Sequence, residues 1–239
     1  PRSTELSEHA TVRLHHKPGT DVALINGLMH VIIRDGLEDK EFIRERTEGF
    51  EDMRQLVGKY TPEAVEAITG VSRFHLEAAA RLFGEAKSAC ILYGMGITQH
   101  ITGTDNVKSV ANLLLLTGNI GREGTGFSPL RGQNNVQGAC DLGALPNVYP
   151  GYQRVNDPTV RMKFETAWGC ELSDHPGVTV TEVADAISKG DIKGLYVVGE
   201  NPMLSEPHLE HTGQALEKLE LLIVQDIFLS ETAWMADVV

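Results

Sequence analysis

The sequence predicts an α/β chain organised as two three-layer domains with mostly parallel sheets, and three observations carry that reading. The run Ala89-Cys90-Ile91-Leu92-Tyr93 is short, apolar throughout and closed by glycines, which suits a strand buried on both faces. Two further apolar runs, residues 194–198 and 221–228, flank a helical stretch, and a strand-helix-strand order of this kind implies a right-handed crossover and a parallel sheet. Between these two regions, residues 119–152 are rich in Gly, Asn, Gln and Pro and keep no sustained period. Loops of that length are usually functional or disordered; the embedded Leu130, Val136, Leu142 and Leu145 favour an ordered, functional one.

In chain order, residues 21–33 carry Val22, Leu24, Ile25, Leu28, Val31 and Ile32 at helical spacing, with Gly36 where a helix would stop. Thr61-Pro62 supplies an N-cap and a proline at the first helical position, and Ser72 caps a helix whose Phe74, Ala78 and Leu82 share a face. A helix over residues 105–116, stopped by Gly118, follows the first strand. Later helices are expected over residues 157–168, 179–189, with a Thr179/Glu182 capping box and Gly190 beyond, and 206–219. The change of pattern near residue 133 divides the chain into residues 1–133, a helical region plus the strand at 88–94, and residues 134–239.

The 239 residues are 41% apolar and 23% charged, as in an ordinary globular protein. A net charge of −12, from 21 basic and 33 acidic residues, argues against nucleic acid, whose phosphates need clustered Lys and Arg. Apolar runs such as Leu113 to Leu116 fall far short of the roughly 20 residues that cross a bilayer, so no membrane insertion is expected. Pro1, with no Met or signal pattern, suggests a chain that starts partway into a longer polypeptide or after processing. Cys90, Cys140 and Cys170 are too far apart for a CxxC motif and read as small buried hydrophobes. The nine histidines show no ligand spacing, so no metal is assigned to them.

Ligands of open parallel sheets bind beyond the carboxyl ends of the strands, which directs attention to residues 94–99, 199–205 and 225–232. Gly94-Met95-Gly96-Ile97-Thr98-Gln99 follows a strand and precedes a helix, a place where glycines let backbone N–H groups approach a phosphate. The nicotinamide fingerprint would want a third glycine where Gln99 stands. Gly199-Glu200-Asn201-Pro202 ends another strand, and Ser205 is an N-cap candidate; from composition alone, a capped turn with solvated side chains is the better explanation of them. The densest polar array is Arg131-Gly132-Gln133-Asn134-Asn135-Val136-Gln137-Gly138-Ala139-Cys140-Asp141. So many amides around one guanidinium are costly to bury without partners, and Arg131 has a planar fork suited to a carboxylate, whether a ligand or an internal acidic residue.

The segment from Arg131 through Pro146, RGQNNVQGACDLGALP, followed by Tyr149-Pro150-Gly151-Tyr152, closely resembles the stretch that distinguishes formate dehydrogenase catalytic subunits within the molybdopterin oxidoreductase family. The similarity extends through Gly94-Met95-Gly96, Leu116-Thr117-Gly118-Asn119, Gly199-Glu200-Asn201-Pro202 and Val224-Gln225-Asp226-Ile227-Phe228. The resemblance implies Rossmann-like domains of the formate dehydrogenase and dimethyl sulfoxide reductase type, present in part. It implies oxidation of formate to carbon dioxide at molybdenum or tungsten held by two molybdopterin guanine dinucleotides, with a [4Fe-4S] cluster in a region outside this chain. Arg131 then matches the arginine that orients formate. Met95, Gln99 and Gln133, with Gly94 and Gly96, match positions lining a pterin, while Gly199, Glu200, Asn201, Ser205, Gln225 and Asp226 fall where a guanine nucleotide end lies. The first domain would bind molybdopterin, the second the guanine dinucleotide, with the substrate between them. The expected partners are formate, the remaining domains of the subunit and electron-transfer subunits, in a cytoplasmic setting with the periplasm as the alternative. No metal-ligand or cluster motif occurs here, so the segment alone should be inactive. The competing readings are a non-catalytic scaffold of the same family and a nicotinamide-binding dehydrogenase; the intact Arg131 loop and Gln99 speak against them.

Overall fold

The computed structural model describes residues 2–239, which divide between Asn134 and Asn135 into two compact units. After a 3-10 turn at Glu5–Glu8, the first unit continues with five α-helices: α1 (Asp21–Arg34), α2 (Lys40–Arg46), α3 (Phe50–Val57), α4 (Pro62–Thr69) and α5 (Arg73–Gly84). Strand β1 (Cys90–Tyr93), a single helical turn α6 (Met95–Thr98), α7 (Gly103–Leu116) and β2 (Gly126–Pro129) complete it. The spacing of apolar residues on α1 buries Met29, Val31 and Ile32 against α5 and α7, and Leu24 against Val65 and Leu76. Each such side chain contributes on the order of 2 kcal/mol by leaving water. Thr61 accepts from the Ala64 N–H ahead of Pro62, as the sequence indicates.

On α5 the sequence reading needs correction. Leu76 and Ala80 face the core, whereas Phe74, Ala78 and Leu82 lie on the exposed side. Both sets have helical spacing, and packing against α1 decides which of them is buried. Strand β1 also departs from expectation. Among the described residues it pairs in parallel with β2 alone, and one face of the pair is exposed: Cys90 is exposed and Leu92 is 61% exposed. The thiols of Cys140 and Cys170 are half-buried and exposed, respectively, so none of the three cysteines is a core residue.

The second unit holds α8 (Val136–Asp141), the hairpin β3 (Val148–Tyr149) and β4 (Gln153–Arg154), α9 (Pro158–Trp168) and α10 (Val180–Lys189). Then come β5 (Gly194–Val198), α11 (Pro202–Ser205), α12 (Leu209–Leu216), β6 (Leu221–Gln225) and α13 (Glu231–Trp234). The aperiodic stretch is therefore ordered by β2, α8 and β3 rather than being one loop. Strands β5 and β6 run parallel in full register from Gly194↔Leu221 to Val198↔Gln225. Val197, Leu222 and Val224 on one face pack with Ile187 of α10 and Ala215 and Leu216 of α12.

Two boundaries differ from the sequence reading for local reasons. The helix expected from residue 206 starts at Leu209, because Glu206 precedes Pro207 and takes an extended backbone. Strand β6 stops at Gln225 rather than residue 228, since the Asp226 carboxylate accepts from the Ile227 and Phe228 N–H groups and turns the chain.

Candidate functional site

In the first unit, the parallel pairing of β1 and β2 ends at Tyr93↔Pro129, and the Leu130 N–H donates to the Tyr93 carbonyl at 2.6 Å. Gly94 and Arg131 consequently leave the sheet at the same end. The turn after Gly94 is short and tightly held. Ile97 N–H donates to Gly94 O at 3.0 Å and Gln99 N–H to Met95 O at 2.9 Å. Asn106, fully buried on α7, donates from Nδ2 to Ile97 O at 2.8 Å, and His100 Nε2 bonds Gly96 O at 3.0 Å. Gly103 allows the close approach of α7, since a Cβ there would lie 2.0 Å from Thr98 O. Met95, Gly96 and Gln99 remain exposed at the surface of this turn, as do Arg131 and Gln133 beyond β2.

A carboxylate that the sequence reading passed over lies under the same turn. Asp21, 3% exposed, bonds His16 Nε2 through Oδ1 at 3.0 Å, while its Oδ2 is 3.9 Å from His100 Nε2. That second oxygen is buried and makes no hydrogen bond among the described residues, which leaves an acceptor to be satisfied by a donor. The only sequence signal was a Thr-Asp pair at a helix start, which reads as a cap.

Asn119 plays a structural part. Its Oδ1 accepts from Ala89 N–H at 2.9 Å and from Arg122 at 3.1 Å, so it braces the start of β1.

In the second unit, Gly199 follows β5 in the left-handed region at φ +63° and donates its N–H to Gln225 O at 2.9 Å. That bond brings Glu200 and Asn201 beside Gln225 and Asp226 at the carboxyl ends of both strands. Gln225 Oε1 accepts from the Tyr196 hydroxyl. Asn201 reaches α13: Oδ1 accepts from Thr232 N–H at 3.2 Å and Oγ1 at 2.7 Å, and Nδ2 donates to Glu231 Oε2 at 2.6 Å. Its own backbone N–H and the Asn201 amide hold the Glu231 carboxyl below its ordinary range. Ser205 is not an N-cap: it ends α11, and its hydroxyl donates to Glu200 Oε1 at 3.4 Å. Pro202 at the first helical position begins that short helix early, and His208 takes the position before α12.

The two sets of sequence-selected residues therefore collect at two sheet ends, one in each unit. Among the described residues no three His, Cys, Asp or Glu side chains gather as a metal-binding group. No helix among them is long and apolar enough to cross a membrane.

The molybdopterin oxidoreductase family model matches residues 1–239. The chain belongs to that family. It is 51% identical over 239 residues to the F420-dependent formate dehydrogenase subunit alpha of Methanocaldococcus jannaschii, and 49% identical over 240 residues to formate dehydrogenase H of Escherichia coli. Both alignments cover 100% of this chain, but only 35% and 34% of those relatives, so the chain spans about a third of their length. Among solved structures, acetylene hydratase from Pelobacter acetylenicus superposes on the whole chain with a TM-score of 0.74 at 21% identity, covering 35% of that protein. That likeness is one of fold, and it agrees with the α/β class with parallel sheets read from the sequence.

Proposed function

We propose that this chain is the central portion of a molybdenum- or tungsten-dependent formate dehydrogenase catalytic subunit, oxidising formate to carbon dioxide and passing electrons to an iron–sulfur cluster elsewhere in the polypeptide. The observation that carries the reading is the shared exit of Arg131 and the Gly94–Gln99 turn from the β1–β2 pair. A guanidinium is a planar donor fork for a carboxylate, and Arg131 follows the sheet at the same end as a glycine turn with exposed backbone and amide groups, the pairing that a substrate held against a cofactor requires. The near-50% identity to formate dehydrogenases makes formate the carboxylate of choice.

The residues fit a molybdopterin guanine dinucleotide. Met95, Gln99 and Gln133, exposed at the end of the β1–β2 pair, offer surface contacts and amides to it. In the second unit Gly199, Glu200, Asn201, Ser205, Gln225 and Asp226 would hold a nucleotide end by hydrogen bonds rather than by cationic side chains. When bound, the metal with its dithiolene ligands supplies the two-electron acceptor. Arg131 binds the formate oxygens and orients the C–H bond, and its fixed charge favours one orientation over its reverse.

Arg131→Lys in the full-length enzyme tests this. An ammonium lacks the bidentate fork, so metal and pterin content should stay at parental levels while kcat/KM for formate falls by about a hundredfold, about 2.7 kcal/mol. Unchanged steady-state kinetics would refute the role.

A further inference from the structure

We propose that Thr232 is a positioning residue for the polar site at the carboxyl ends of β5 and β6: its buried hydroxyl fixes the Asn201 carboxamide so that the amide NH2, not the carbonyl, faces a ligand. The inference rests on the reading that this sheet end takes the nucleotide part of the cofactor. Thr232 closes the stretch 225–232 to which the sequence points, but the sequence gives it no role of its own.

The hydrogen-bond directions are determined by elimination. Thr232 is 0% exposed. Its Oγ1 accepts from the Met203 N–H at 3.1 Å, so its own proton goes to the other neighbour, Asn201 Oδ1, at 2.7 Å. The Thr232 N–H donates to the same oxygen at 3.2 Å. An atom that receives an N–H and an O–H is the carbonyl oxygen, which settles the orientation of the amide. Asn201 Nδ2 is thereby turned the other way, where one of its hydrogens goes to Glu231 Oε2 at 2.6 Å. The second makes no hydrogen bond among the described residues and is offered to an acceptor, such as a ring carbonyl or a phosphate oxygen. One buried hydroxyl thus links the turn after β5, the start of α11 and the start of α13, and sets the donor polarity of the site.

The test uses the full-length enzyme with its cofactor. It measures the rate of pterin loss on dilution, by fluorescence of the released and oxidised pterin, together with melting temperature. Thr232→Val removes the hydroxyl at nearly constant shape and should speed cofactor loss about tenfold, as expected for a hydrogen bond and an orphaned N–H. Thr232→Ser, which keeps the hydroxyl, should behave as the parent. Equal loss from both variants would assign the effect to packing and overturn the proposal. Asn201→Ala separates the two layers of argument. If it loses cofactor while Thr232→Val does not, the positioning role fails and the binding site stands; if Asn201→Ala retains cofactor as the parent does, the reading of the site fails too. Should Thr232→Val not fold, the pair Asn201→Asp with Glu231→Gln keeps the contacts of Thr232 and the internal bond but removes the outward donor. It should lose cofactor at the faster rate, and parental retention would overturn the assignment.

Discussion

At Gly103 a single absent methyl group sets the distance between the α6 turn and α7. An alanine there would bring its Cβ to within 2.0 Å of Thr98 O, a backbone atom with little freedom to retreat. Gly103→Ala should therefore destabilise the first unit by about 2–3 kcal/mol, as overpacking does, read as a lower midpoint in urea; an unchanged midpoint would mean that the turn relaxes without cost. The residues that support this turn were not legible in the sequence. Asn106 looks like one more polar residue in a helix, and only the return of the Ile97 carbonyl to its amide reveals its use. Asp21 likewise reads as a helix-start acid until His16 and His100 are seen on either side of it. By contrast, the glycine turn and the strand-end position of Glu200 and Asn201 follow from patterns within a few residues, and these were readable. Ser205 was misread because a proline upstream and another downstream decide where the helices begin.

Among elements, the features fixed by four or five consecutive residues were the most legible. Thr179 with Glu182 forms the capping box of α10, as the sequence indicates, whereas Asp157, expected as the first residue of its helix, caps α9 by accepting from Thr159 N–H at 2.9 Å and Val160 N–H at 3.2 Å. Asp157→Ala should cost about 1 kcal/mol, seen as a reduced melting temperature without change in the cofactor content of the full enzyme. Which face of α5 is buried was not legible, because that choice belongs to α1. The two helices are also tied by charge. Arg34 bonds Asp35 and Glu77 at 2.8 Å each, and Arg81 bonds Asp35 at 2.8 Å and Glu77 at 3.3 Å. Hydrogen bonds from Arg34, then from Arg81, hold the Asp35 carboxyl below its ordinary range, and Arg34 does the same for Glu77. Because these folded-state values are depressed, the stabilisation is present above about pH 4, where the carboxyls also ionise in the unfolded chain, and disappears as pH falls through the lower folded values. Glu77→Gln should thus weaken the protein at neutral pH and converge with the parent in acid, measured as urea midpoints across pH; a difference independent of pH would remove charge from the explanation.

For the molecule as a whole, the α/β class and the parallel β5–β6 pair with its intervening helices were legible because apolar runs and helical periods alternate along the chain. The degree of strand burial was not. An apolar run such as Ala89 to Tyr93 reports that a strand is compatible with cover on both faces, whereas what packs on each face is decided by distant sequence, and among the described residues the side of β1 that carries Cys90 and Leu92 is exposed. The same limit applies to the order within residues 119–152, where β2 owes its place to β1 and not to any pattern of its own.

The hydrogen bond from Leu130 to Tyr93 has a consequence for which length changes this protein can tolerate. Inserting one residue directly after Pro129 would turn the following side chains to the opposite side of the ladder, as any slip by one does in a β-strand, and so would move Arg131 from the side of the chain on which it now follows β2. An extra residue in the connection at 121–124, which feeds β2 without entering the ladder, leaves that phase intact. Lineages of this protein should accordingly vary in length ahead of Gly126 and not between Gly126 and Arg131, and of two single-glycine insertions in the full-length protein, the one at 121–124 should retain the proposed formate turnover and the one after Pro129 should lose it.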